Sequence, residues 1–68
     1  MTQCDRIMDY IREFGSISSM EAFADLGITR LAARIADLED SGIHFTRTKE
    51  AVRNRYGEKV YYTRYSLQ

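Results

Sequence analysis

The pattern of apolar positions divides the chain at Gly42–Ile43. Before that point apolar side chains recur every three or four residues, the spacing of one helix face. After it the period shortens to alternation. Cys4, Ile7, Met8, Ile11 and Phe14 form the first helical set, with Arg6, Asp9, Arg12 and Glu13 on the other side. They predict a helix over 5–14, ended by Gly15, where a C-terminus favours a residue that takes positive φ. Ser16, Ile17 and Ser18 then offer a short strand. Ser18 or Ser19 can cap a second helix that buries Met20, Phe23, Ala24 and Leu26 and leaves Glu21 and Asp25 in water. Gly27 stops it, and Ile28 is placed to enter the core.

The third helix is predicted over about 29–41, within LGITRLAARIADLEDSGIHF. Thr29 is its expected cap, and Gly42 its stop. Leu31, Ile35 and Leu38 fall within about 60° of one another at 100° per residue. Ala33 lies opposite that stripe, Arg30 and Asp37 point outward, and Arg34 flanks it. Beyond Ile43, the stretches HFTRTKEAV (44–52) and VYYTRYSL (60–67) are rich in β-branched and aromatic residues, as strands are. RNRYGEK joins them, with Gly57 supplying turn geometry. The result is a hairpin with Tyr65 and Leu67 expected in the core.

Sixty-eight residues make one domain, 1–68, with a thin core that hides only about 60% of the unfolded surface. The absence of proline and the presence of only four glycines argue against a disordered chain. No stretch approaches the roughly 18 apolar residues of a membrane helix. MTQCDRIMDY has no apolar signal core, so a cytoplasmic protein is expected. The one cysteine, Cys4, excludes an internal disulfide and is expected as a small buried hydrophobe.

Net charge is zero but unevenly spread. Residues 1–42 carry four basic and eight acidic side chains, a balance of −4; residues 43–68 carry six and two, a balance of +4. A basic hairpin therefore follows an acidic helical half, and local fields act within the roughly 10 Å that salt leaves unscreened.

Those basic residues carry the candidate chemistry. An α-helix fits the major groove of DNA, and arginine is the commonest reader of guanine there. Arg30 and Arg34 stand at the N-terminal end of the third helix, the end that usually meets base edges. Ala33 on the outer face would admit the DNA backbone closely, and Thr29 would meet a phosphate at the positive end of the helix dipole. The plain alternative is a solvated face on which both arginines pair with Asp37, Asp25 or other local acids. In the hairpin, Arg47, Lys49, Arg53, Arg55, Lys59 and Arg64 interleave with Tyr56, Tyr61, Tyr62 and Tyr65. Such cations neutralise phosphates and release counterions, and a turn bearing Arg53 and Arg55 would reach the minor groove or backbone. The alternative is a stable, soluble hairpin of cross-strand pairs.

His44, the only histidine, has no cysteine pair or carboxylate cluster, so neither a metal site nor any other cofactor is expected. Cys4 and His44 are the only thiol–imidazole candidates, and no third orienting group is evident. There is no phosphate-binding glycine loop. The expectation is a protein that is not an enzyme.

L-G-I-T at 26–29, I-x-x-L-x-x-x-G-I at 35–43 and the basic hairpin together resemble a winged helix-turn-helix domain. Ser18, Glu21, Ala22, Phe23, the run Leu26 to Ile35, Leu38 and Asn54 to Gly57 are similar to small phage and prophage proteins of that class, excisionase-like or repressor-like. The resemblance covers nearly the whole chain. It implies an α+β fold, a three-helix core followed by a C-terminal β-hairpin wing over 44–67, with a recognition helix at about 29–41. It also implies a transcriptional regulator or architectural factor that binds double-stranded DNA, with the wing tip at 53–59 on the backbone. One departure is that the recognition helix ends acidic, with Asp37, Glu39 and Asp40.

Two functions follow. The first is sequence-specific binding of double-stranded DNA in the cytoplasm of a bacterial or phage-infected cell, as a homodimer or tandem array because one module offers limited surface. Its site residues would be Thr29, Arg30, Ala33, Arg34, Arg47, Lys49, Arg53, Arg55, Tyr56 and Lys59. The second is a protein-binding module of phage origin whose acidic helical face occupies a basic host protein. Steep loss of DNA affinity with salt would mark the first.

Overall fold

Two capping boxes begin the helical half. A computed structural model describes residues 2–68. In helix α1 (Gln3–Phe14), the Asp5 N–H donates to Thr2 Oγ1 and the Thr2 N–H donates to Asp5 Oδ2, each at 3.1 Å. This satisfies donors that the helix start would leave unpaired, so α1 begins two residues earlier than its apolar period predicts. Ile7 and Ile11 are buried, and Cys4 and Met8 are half-buried against the core. Phe14 is not in the core: its side chain sits over the Tyr10 ring, centroids 4.6 Å apart, and remains 62% exposed. Gly15 ends α1 at φ 90°, as expected.

Strand β1 (Ile17–Ser18) is short but decisive. It pairs antiparallel with β3, Ile17 opposite Tyr65 and Ser18 opposite Arg64. Ser18 also caps α2 (Ser19–Leu26), whose third residue, Glu21, returns the bond in a second capping box. This fixes the rotation of α2 and overturns the face expected from its apolar residues. Ala22 is the fully buried residue of α2 and Leu26 is half-buried, whereas Met20, Phe23 and Ala24 face solvent. Glu21 turns inward toward Arg64.

After Gly27, at φ 68°, Ile28 drops into the core. Helix α3 (Leu31–Asp40) starts two residues later than expected. Thr29 is not its cap; the cap is Arg30, which makes no side-chain capping bond. Leu31, Ile35 and Leu38 are buried, as their stripe predicts.

Strands β2 (Phe45–Arg53) and β3 (Lys59–Leu67) form the hairpin within one residue of expectation. The sheet order is β1-β3-β2, with β3 in the centre. Phe45 and Tyr65 close the core from the sheet side, but Leu67, at the end of β3, stays 38% exposed. Three helices followed by an antiparallel hairpin make the winged helix-turn-helix architecture, α+β.

Candidate nucleic-acid interface

Among the described residues, the start of α3 offers one free cation. Arg30 is exposed and enters no ion pair among the described residues. Arg34 is committed: it is half-buried, and its Nε lies 3.1 Å from Asp37 Oδ2, a contact that lacks hydrogen-bond alignment. Its backbone carbonyl faces the Cys4 thiol at 3.9 Å. Thr29 lies exposed in the bend before the helix. Ala33 is half-buried, and Ala32 and Ala36 are the open small residues of α3. Asp37 and Asp40 occupy exposed positions further along, so the outer surface of α3 grows more acidic toward its C-terminus.

The wing sorts its charges by register. Residues opposite one another in an antiparallel pair share a face, and alternate residues along a strand share it too. The pairs Arg47–Tyr65, Lys49–Thr63, Ala51–Tyr61 and Arg53–Lys59 therefore line one face. Thr48–Arg64, Glu50–Tyr62 and Val52–Val60 line the other. Four of the expected site residues, Arg47, Lys49, Arg53 and Lys59, are brought together this way. The face lies on the α3 side of the sheet, because Arg47 makes a two-pronged pair with Glu39 of α3 at 2.6 and 3.0 Å.

Position along the wing then separates structural cations from free ones. At the base, Arg47 also lies over the Tyr65 ring, 5.4 Å from its centroid. The hydrogen bond from Arg47 holds the Glu39 carboxyl below the usual glutamate range. Arg64, expected as a phosphate-binding cation, is the hub of a half-buried network. Its Nη1 donates to Glu21 Oε1 at 2.7 Å and Ser16 Oγ at 3.0 Å, and its Nε pairs with Glu50. The Tyr62 hydroxyl donates to the other Glu50 oxygen at 2.8 Å. These acceptors raise the Arg64 pKa, Glu21 foremost, and Glu50 is held low by the Tyr62 hydroxyl first and Arg64 second. Toward the tip, Lys49, Arg53, Arg55 and Lys59 are exposed and enter no ion pair among the described residues.

The tip is a built turn. Asn54 carries it: its carbonyl accepts the Gly57 N–H, and its side-chain oxygen accepts the N–H groups of Tyr56 and Glu58 at 2.9 and 3.1 Å. Asparagine first and glycine fourth is the preferred arrangement for such a turn, and Gly57 takes φ 76°. Arg53 reinforces it by donating to the Gly57 carbonyl at 2.7 Å. Arg55 and Tyr56, the two residues inside the turn, project into solvent.

The residues that residue-type reasoning missed are the carboxylates that occupy the base cations: Glu39, Glu50 and Glu21. Period-two spacing of 47, 49, 51 and 53 was the available signal for the shared face; the partners were not available from spacing.

This fold, three helices followed by an antiparallel hairpin, defines a winged helix-turn-helix. The chain belongs to that family: the model of the winged helix-turn-helix domain matches residues 2–68. No curated protein and no solved structure matches the chain. Membership suggests binding to double-stranded DNA by a module that is typically not an enzyme. Among the described residues, no helix is long and apolar enough to cross a membrane, and no three His, Cys, Asp or Glu side chains gather as a metal site.

Proposed function

We propose that residues 1–68 act as one module that binds double-stranded DNA sequence-specifically, as a phage or prophage transcriptional regulator or architectural factor. The N-terminal end of α3 enters the major groove and the wing tip, 53–59, follows the backbone. Arg30 carries most of the base reading, because Arg34 must exchange Asp37 for a base edge. Thr29 meets a phosphate, and the small residues Ala32 and Ala36, with half-buried Ala33 beside them, admit the approaching backbone. Lys49, Arg53, Arg55, Tyr56 and Lys59 grip the flanking DNA, with Arg47 bracing the wing against α3. Two copies, as a homodimer or in tandem, supply enough surface for useful affinity. The observation that carries this reading is the single wing face on which Lys49, Arg53 and Lys59 lie without ion-pair partners, on the α3 side of the sheet.

Binding to a selected site and to scrambled DNA at several salt concentrations tests it. Arg30→Ala is expected to cost about 1–3 kcal/mol on the selected site and far less on scrambled DNA, since it removes discrimination. Arg55→Ala and Lys59→Ala are expected to weaken both alike and each to lower the salt slope by about 0.9. Unchanged binding by a folded Arg30→Ala protein would remove α3 as the reader.

A second reading is favoured by α2, which turns Met20, Phe23 and Ala24 outward beside an acidic helical half. There the module occupies a basic host protein instead. DNA retention that is nil even at low salt would select it.

A further inference from the structure

Tyr61 is an aromatic side chain that the fold leaves unused. It is 66% exposed, and its hydroxyl makes no hydrogen bond among the described residues. Tyr10 donates to Asp25, Tyr62 donates to Glu50, and Tyr65 is buried under Arg47. Tyr56 is also open, but it sits in the turn, off the strands. Tyr61 differs because register sets it in a frame. Directly across the ladder is Ala51, too small to cover a ring. Lys49 and Arg53 lie on the diagonals, and Lys59 and Thr63 flank it along β3. Diagonal neighbours in an antiparallel pair are about 7–8 Å apart, within reach of one nucleotide's base and phosphates.

An uncovered ring within three cations free of carboxylates has one chemistry to offer. The ring takes the flat face of a base and the cations take the phosphates on either side. A base inside a duplex has both faces already stacked. We infer that the outer half of the wing, Tyr61 with Lys49, Arg53 and Lys59, is a stacking site for unpaired nucleotides of single-stranded DNA. The site requires neither α3 nor Arg30; it shares Lys49, Arg53 and Lys59 with the duplex contacts proposed above, and the Tyr61 ring is what sets it apart from them. The opposite wing face has no equivalent: Tyr62 is tied to Glu50, and Arg64 to Glu21 and Glu50.

The test is binding of fluorescently labelled oligo(dT), about a dozen nucleotides long, at low salt, with a blunt duplex measured in parallel. Tyr61→Phe is expected to bind oligo(dT) as the wild type does, since the hydroxyl has no partner. Tyr61→Leu, and Ala51→Ile, which is designed to cover the ring, are each expected to lose about 5- to 150-fold. Lys49→Gln and Lys59→Gln are each expected to lower the salt slope by about 0.7, the single-strand value. Thermal midpoints establish that each variant is folded; if Tyr61→Leu is not, Ala51→Ile decides. Absence of oligo(dT) binding by the wild type would overturn the assignment, as would unchanged binding by the folded Ala51→Ile protein. Equal losses on oligo(dT) and blunt duplex in the Tyr61→Leu or Ala51→Ile protein would also overturn it, because the ring would then touch a feature that both share. Loss of duplex binding alone, in Arg30→Ala, would leave it standing.

Discussion

The base and the tip of the wing use the same residue types for opposite purposes. At the base, Arg47 and Arg64 are paired with Glu39, Glu21, Glu50 and the Tyr65 ring. At the tip, Lys49, Arg53, Arg55 and Lys59 pair with no carboxylate among the described residues. The two tyrosines of the same face divide likewise: Tyr65 is 7% exposed and Tyr61 is 66% exposed. A basic hairpin is therefore not a uniform anion-binding surface. Its inner cations orient the wing on the helical body, and only its outer cations have charge available to a phosphate.

The sharpest way to break this division is to truncate the two tyrosines. Tyr65→Ala removes a buried ring and is expected to cost about 3–5 kcal/mol, the range for losing a large aromatic from a core. In a small domain that is most of the stability. Tyr61→Ala is expected to change stability by no more than about 0.5–1 kcal/mol, through cross-strand contact alone. Denaturant midpoints measure both; similar losses would mean that the wing is one continuous core.

The next effect is at Arg64. Each of its ion pairs is partly open to water and individually worth less than about 1 kcal/mol. Three acceptors converge on one guanidinium, however, and its removal leaves Glu21 and Glu50 without the cation they share. Arg64→Ala is expected to cost about 1–2 kcal/mol, and Arg55→Ala at the tip close to nothing. Arg64→Lys is expected to restore only part, because a single ammonium cannot reproduce the fork. Equal midpoints for the Arg64→Ala and Arg55→Ala proteins would erase the distinction.

Much of the scaffold was legible because it rests on local spacing. The stripe Leu31, Ile35 and Leu38, the glycine stops at 15 and 27, and the Asn54–Gly57 turn depend only on neighbours in the chain. The eight residues of α2 did not suffice: with barely two turns, Met20 and Phe23 compete with Ala22 and Leu26 for the core face. The pairing of Ile17 with Tyr65 and Ser18 with Arg64, far along the chain, settles the competition. The interface divides in the same way. Its cations were legible from residue type, whereas the face that four of them share is set by the register of β2 against β3. Which of them are free was not legible, because Arg47 meets Glu39 8 residues away, and Arg64 meets Glu50 and Glu21 at separations of 14 and 43.

The smallest expected effect is in acid. Glu50 has its carboxyl pKa lowered, first by the hydrogen bond from the Tyr62 hydroxyl and then by Arg64. A carboxylate whose folded pKa lies below its ordinary value, 4.5, stabilises the fold above that value. The contribution is lost as pH falls below it and the group protonates. The wild type is therefore expected to lose Tm more steeply than Glu50→Gln as pH falls from about 5 to about 3. The difference is modest, because the pair is open to water and salt weakens it further. Glu39 at the base is held low by Arg47 in the same sense, so Glu39→Gln is expected to flatten the curve as well. Lys59, at the tip, pairs with no carboxylate among the described residues, so Lys59→Gln is expected to leave the acid slope of the wild type unchanged. Thermal unfolding across that pH range, at low and at moderate salt, measures all four proteins. Superimposable curves for the wild type and Glu50→Gln would mean that Glu50 contributes nothing by holding Tyr62 and Arg64 across the hairpin. An altered acid slope in Lys59→Gln would mean that the tip cations, too, are bound to the fold.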